Sequence, residues 1–220
     1  LEGDEMKVRK RNKLIFGIGV CDADYQVNRC EIVGGKWKTV WKCPFYVKWH
    51  GMIERCYSEN FKIKHPSYAS CISVPEWILF SNFKSWMQTQ DWEGKELDKD
   101  LLVKDNKVYG PDTCIFVDSK VNNFIVERKA KRGNYPIGVI LVKRPKAAPY
   151  RANCKSVVTR KIQYLGNYST PEEAHLAWLA FKLEQAYILA AEQTDERVAK
   201  ALIDRYENYK GDHLNADLQL

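Results

Sequence analysis

The stretch that decides the fold is Leu97-Asp98-Lys99-Asp100-Leu101-Leu102-Val103, followed by Val108-Tyr109-Gly110-Pro111-Asp112-Thr113-Cys114-Ile115-Phe116-Val117 and Asp118-Ser119-Lys120-Val121-Asn122-Asn123-Phe124. Its alternation predicts a strand, a long polar turn, a second strand, and a helix that starts at Asp118 with an Asx N-cap. On a regular strand Asp98 and Asp100 face one way, with Lys99 between them. Carboxamides follow about one turn into the helix. A hairpin packed on a helix brings such groups together, and hard oxygen donors suit Mg²⁺ or Mn²⁺. Taken alone, Asp-Lys-Asp reads more simply as a solvated strand edge ending in a charged turn.

Composition narrows the setting of this unit. A chain of 220 residues with 45% hydrophobic content, seven Trp and twelve Tyr can bury one large core or two small ones. No apolar run reaches the ~18–20 residues of a membrane span, and the first residues do not form a signal peptide, so a cytoplasmic protein with no membrane partner is expected. The seven cysteines contain no C-x-x-C pair. Zinc is therefore not expected, and the thiols read as reduced core residues. Net charge is +7, and it is unevenly placed. Residues 131–164 hold nine basic residues and no acidic one, whereas residues 165–220 hold five basic against ten acidic. Such segregation marks a surface that meets phosphate.

Before the central stretch, residues 1–13 form a basic arm. Leu14 to Lys42 alternates in strand fashion, and Gly34-Gly35 marks a hairpin turn on which Trp37 and Trp41 share a face by period two. Pro44 opens a helix with Phe45, Trp49, Met52/Ile53 and Cys56 on one stripe. Ser73-Val74-Pro75-Glu76 resembles a capping box for a helix carrying Trp77, Phe80, Phe83, Trp86 and Met87. His50 and His65 lie outside the central stretch, and each reads more simply as a surface or edge residue than as a catalyst.

The ordered set Tyr46-x-x-Trp49-x-x-Met52-x-x-Arg55-Cys56-Tyr57, Val74-x-Glu76-Trp77-x-x-Phe80-x-Asn82-Phe83-x-x-Trp86, Leu97-Asp98-Lys99-Asp100 and Asn106-Lys107-Val108-Tyr109-Gly110-Pro111-Asp112-Thr113-Cys114 closes with Asn122. It resembles bacteriophage HNH-type homing endonucleases over about residues 44–126. The resemblance implies a ββα-metal (His-Me finger) unit. One Mg²⁺ or Mn²⁺ would sit between Asp98 on the strand and Asn122 on the helix, with Asn123 as the alternative ligand. It also implies a general-base histidine, but that position is Lys99. A lysine of ordinary pKa donates protons at neutral pH. Proton acceptance then passes to Asp100 or a distant group, or the site turns over slowly or not at all. Lys99 could instead meet phosphate as a point charge.

Farther on, three short strands are predicted over 137–142, 150–155 and 160–166, and Thr170-Pro171-Glu172-Glu173 opens a long helix with a capping box. Arg151, Asn153 and Lys155 alternate onto one face, near Arg160, Gln163 and Tyr164. Arg, Asn and Gln read base edges, while Lys mostly positions the phosphate backbone. The pattern Gly138-Val139, Tyr150-Arg151-Ala152, Tyr164-Leu165-Gly166 and Tyr168-x-Thr170-Pro171-Glu172-Glu173-Ala174 resembles the Apetala-type DNA-binding domain over 136–190. That resemblance implies a three-stranded antiparallel sheet in the major groove with a helix behind it. Lys143, Arg144, Arg151, Asn153, Lys155, Arg160, Lys161 and Tyr164 are the candidate contacts to double-stranded DNA.

The expected organisation is α+β: the basic arm, an HNH-like domain over 14–130, an Apetala-like domain over 131–193, and a C-terminal helix and tail over 194–220. That last helix begins at an N-cap Thr194 and either packs on the supporting helix or meets a protein partner. The expected function is a phage-encoded endonuclease acting in the infected host cell, with nicking and weakened turnover both compatible with the residues. The alternatives are an inactive DNA-binding protein on the same scaffold, and a phage protein acting on a host nucleic-acid-processing complex.

Overall fold

Trp49, Met52, Ile53 and Cys56 recur at the spacing of one helix face, and helix α1 (Pro44–Tyr57) buries all four. Proline at the first turn fits because its missing N–H has no intrahelical partner there. The structure, a computed structural model, describes residues 14–126 and 135–209. The basic arm, the linker residues 127–134 and the tail from 210 lie outside the described residues. The fold is mixed α+β and divides into two compact units between Phe116 and Val117. None of the described helices is long and apolar enough to cross a membrane.

In the first unit, β1 (Asn28–Val33) and β2 (Lys36–Lys42) form the antiparallel hairpin, with left-handed Gly34 and Gly35 at its turn. Strand structure starts later than the alternation from Leu14 predicts. The chain instead turns at Phe16-Gly17 and bridges Ile15 to Gly19. A bulge between Arg29 and Cys30 also breaks period two: Cys30 pairs with Thr39, but Arg29 pairs with Trp41. Directly paired residues share a face, so Trp37 goes with Ile32, and Trp41 with Arg29, Lys36 and Lys38. The two tryptophans do not share a face.

Helix α1 is followed by α2 (Glu59–Lys64) and a two-residue strand β3 (Ile72–Ser73). The helix expected from Trp77 to Met87 is two pieces, a 3-10 turn over Pro75–Ile78 and α3 (Phe80–Met87). Leu79 between them is extended because Val20 pairs there: Val20 N–H donates to Ile78 O (2.9 Å) and Phe80 N–H to Val20 O (3.0 Å). The serine of the presumed capping box makes no cap; it accepts or donates to Tyr57 Oη instead (3.1 Å). Trp49, Phe80, Phe83 and Met87 fill the core, and the Trp49 indole N–H donates to Trp77 O (2.7 Å). Five of the seven cysteines are buried, whereas Cys21 is half-buried and Cys30 is exposed on the hairpin. Burial pushes the Cys56 and Cys114 thiols up to about 12, which leaves them unreactive.

The second half of the central stretch is not one strand. β4 (Glu96–Asp98) pairs with β6 (Ile115–Val117), whereas β5 (Val108–Tyr109) pairs in parallel with β3. Between β5 and β6 the chain turns over Gly110, whose carbonyl accepts from Thr113 and Cys114 N–H.

In the second unit, β7 (Val139–Leu141), β8 (Tyr150–Lys155) and β9 (Ile162–Tyr168) form an antiparallel sheet in that order. Helix α5 (Pro171–Ala191) starts at the expected capping box, with Thr170 and Glu173 each satisfying the other's backbone N–H. The sheet's inner face, Val139 and Ala152, packs on Ala174 of α5. Gly138 lies against Trp178, with φ +84°. The last helix, α6 (Glu196–Glu207), is capped by Asp195 rather than Thr194, and buries Val198, Leu202 and Tyr206. It packs on α5, so its apolar stripe is used within the unit. Helix α4 (Ser119–Ile125) ends in this unit too. Its Phe124 carbonyl accepts from Lys182 Nζ (2.8 Å) and Tyr206 Oη (3.3 Å), which satisfies a helix end that lacks internal donors.

A Cβ at residue 138 would stand 2.1 Å from Trp178, on backbone that already favours glycine. Gly138→Ala is expected to destabilise the second unit by roughly 2–4 kcal/mol. Gly34→Ala, with nothing within 4 Å, is expected to cost about 1 kcal/mol. Urea unfolding of the two variants measures the difference.

Candidate functional site

Strand β4 stops at Asp98, so the alternation that would align Asp98 with Asp100 stops there as well. Asp98 Oδ1 instead accepts from the N–H groups of Asp100 (2.8 Å) and Leu101 (2.7 Å), closing a tight turn. Among the described residues, Oδ2 accepts none of the turn's hydrogen bonds. Burial pushes the Asp98 carboxyl above the usual carboxylate range, and the two backbone donors only partly oppose this.

Lys99 is 4% exposed. Its ammonium donates to Asp100 Oδ1 (2.5 Å) and Asn106 O (2.8 Å), and the Tyr68 and Tyr109 ring centroids lie 5.8 and 5.9 Å away. The nitrogen is thus turned into the loop. Asn106, not singled out from the sequence, completes the arrangement. Its Nδ2 donates to Lys99 O (2.9 Å) and Val108 O (2.7 Å), and its Oδ1 accepts from Val108 N–H (3.1 Å). A lone carboxamide in a polar loop carries no signal of this closure. Arg55 also lies over Tyr109, with its guanidinium 5.4 Å from the ring centroid.

The structure therefore gathers Asp98, Lys99 and Asp100 in one turn of the first unit. Asn122 and Asn123 belong to helix α4 of the second. Asp118 caps that helix as expected, accepting from Val121 N–H (2.7 Å). Asn122 is half-buried, and exposed Asn123 donates to Ser119 O (2.7 Å). His65 ends α2 against Phe61, and His50 packs against Phe16 and Tyr46.

The other candidate surface is the outer face of the β7–β8–β9 sheet. Arg151, Asn153 and Lys155 alternate along β8 and pair with Asn167, Tyr164 and Ile162 of β9, while Ile140 of β7 pairs with Arg151. Ala152 and Cys154 between them are buried toward the other side. Tyr164 is 61% exposed. The Arg151 guanidinium lies 5.4 Å from the Tyr164 ring, and its Nε donates to Asn167 Oδ1 (3.3 Å). These contacts hold the arginine flat on the sheet. Lys143 and Arg144 stand exposed on the β7–β8 connection, and Arg160 and Lys161 on the β8–β9 turn. In an antiparallel meander those connections lie at opposite ends. Cations therefore stand at both ends of the face and along its middle, and no acidic residue occurs from Tyr135 to Pro171. Asn167 was not predicted, because the bulge between Ala152 and Asn153 shifts the register that brings it to this face.

Comparison of the chain with protein-family models, with curated proteins and with solved structures finds no match.

Because the Asp98 carboxyl is raised on folding, its ionisation opposes folding. The penalty is full above its folded pKa and vanishes below the unfolded value near 4. Asparagine keeps an oxygen for the two N–H donors without the charge. Asp98→Asn is expected to be at least as stable as the parent at pH 7, with the gain shrinking as pH falls toward 4. Asp98→Ala is expected to lose roughly 1–3 kcal/mol. Denaturant unfolding of the three proteins at pH 7 and pH 4 separates these effects.

Proposed function

We propose that this chain is a phage-type DNA endonuclease that binds duplex DNA through the outer face of β7–β8–β9 and cleaves it at a site built on Asp98. The acid-free sheet face carries this reading. Three strands span about 10 Å from backbone to backbone, comparable with a major groove about 12 Å wide. Arg151, Asn153 and Tyr164 face outward at its centre, where side chains meet base edges. Lys143, Arg144, Arg160 and Lys161 flank that centre, where phosphates would lie. Its likeness to the Apetala-type pattern points the same way.

The catalytic half of the proposal rests on Asp98 and on the likeness of residues 44–126 to HNH-type enzymes. The donor set fits a hard divalent ion in kind. Asp98 Oδ2 is left over by the turn, and the carboxylate is held in a site where its charge is costly. Mg²⁺ or Mn²⁺ held there would polarise the scissile phosphate and neutralise charge on the leaving oxygen. Within the turn, Asp100 is the group able to accept a proton from water. Its carboxylate is partly exposed and oriented by Lys99. Lys99 positions Asp100 and keeps its own nitrogen away from solvent.

A second reading, DNA binding without turnover, is favoured by the same lysine. A buried, hydrogen-bonded ammonium stands where the family resemblance places an imidazole. Supercoiled plasmid with Mg²⁺ or Mn²⁺ distinguishes the two. The endonuclease reading expects nicked or linear product from the parent protein and at least a hundredfold loss in Asp98→Asn, a variant chosen to keep the turn. Duplex binding with no product under either metal selects the second reading. Binding that does not weaken steeply with salt removes the phosphate contacts common to both.

A further inference from the structure

The β1–β2 hairpin takes no part in either core. Every residue of both strands is exposed. An isolated two-stranded ribbon is marginally stable in water, and among the described residues the hydrogen bonds that fasten this one lie at its base. There Cys43 N–H donates to Val27 O (2.8 Å), and buried Cys43 lies 3.5 Å from the Tyr25 hydroxyl. Beyond that base the seven residues of β2 extend about 20 Å. They carry large apolar side chains into solvent, with Trp37 73% and Trp41 43% exposed. The ribbon is also basic. Arg29, Lys36, Lys38 and Lys42 stand against a single carboxylate, Glu31, which already lies 3.3 Å from Arg29.

We infer that this ribbon is a second duplex-DNA contact, inserted into a groove by the first unit independently of the sheet. The inference rests on the reading of the chain as a DNA-binding protein. The arrangement of its two faces selects the occupant. The bulge puts Trp37, Ile32 and Lys42 on one face, and Trp41, Arg29, Lys36 and Lys38 on the other. Each face thus offers an aromatic ring and at least one cation. A flat protein surface would engage one such face and leave the other basic and bare. A groove has phosphate walls on both sides of what enters it, and the major groove admits a two-stranded β-ribbon. Three lysines without a carboxylate partner in the ribbon supply the countercharge.

The test uses the full chain, a fluorescein-labelled duplex and anisotropy titrations at several salt concentrations. The triple variant Lys36→Gln/Lys38→Gln/Lys42→Gln is expected to lose about tenfold or more in affinity near 0.1 M salt. Its salt slope should fall by about 3. Trp37→Ala/Trp41→Ala is expected to bind at least about fivefold more weakly. All five positions are exposed, so circular dichroism should be unchanged. Arg151→Gln/Lys155→Gln reports on the sheet separately. If the sheet variant loses affinity while both ribbon variants match the parent in affinity and slope, the ribbon inference is overturned and the sheet reading stands. This is also the outcome expected of a ribbon that pairs with a protein strand. If the parent binds no duplex at any salt concentration, the DNA-binding reading and the inference fall together.

Discussion

The enclosed ammonium of Lys99 is the constraint on which the first unit's site depends. A charge taken out of water costs several kcal/mol unless its donors are met. Here a carboxylate, a backbone carbonyl and two tyrosine rings meet it. To supply the carbonyl, residues 99–106 must fold back over the lysine, and Asn106 then fastens the returning chain to Val108. The point where β5 begins is thereby set, and with it the pairing of β5 to β3. Asp98 is held at the mouth of the same turn. Its carboxylate is therefore placed by the needs of its neighbour's charge.

Local signals were legible and non-local ones were not. The α1 stripe, the Gly34-Gly35 turn and the Thr170–Glu173 capping box each depend on residues within a turn or two of one another, and each formed as read. The sheet of the second unit was legible for a further reason: an unbroken run without acidic residues cannot be spread over a buried surface. Where the reading failed, a distant partner decided the outcome. Val20 opens the chain at Leu79 and divides the expected helix. β3 takes Val108–Tyr109 into a parallel pair and divides the expected strand. Lys99 in sequence offers a charge for phosphate, and only the returning loop shows its nitrogen enclosed. The residues of the candidate site were thus nameable in sequence, but their engagements were not.

Helix α4 shows the same limit at the level of units. Its sequence follows directly from β6 and reads as the end of the first module. Its last two carbonyls, however, accept from Lys182 and Tyr206 at Phe124 and from Arg205 at Ile125, and Lys120 reaches Glu192. A division of the chain at 130/131 would leave those acceptors without their donors. The contact boundary at Phe116–Val117 keeps them together.

The bulge opposite Arg29 has a consequence for how this chain can vary. A side-chain face in a strand is assigned by counting, and one uncounted residue reassigns everything beyond it. In most strands such a change would turn core outward, but nothing in β1 or β2 is core. Loss of one residue at Val40 would regularise the ladder and leave Trp41 opposite Arg29 and Lys42 opposite Asn28, at little cost to the unit below. The ribbon is thus a part of the molecule where one residue can be lost or gained at the bulge while both tryptophans keep their opposite faces.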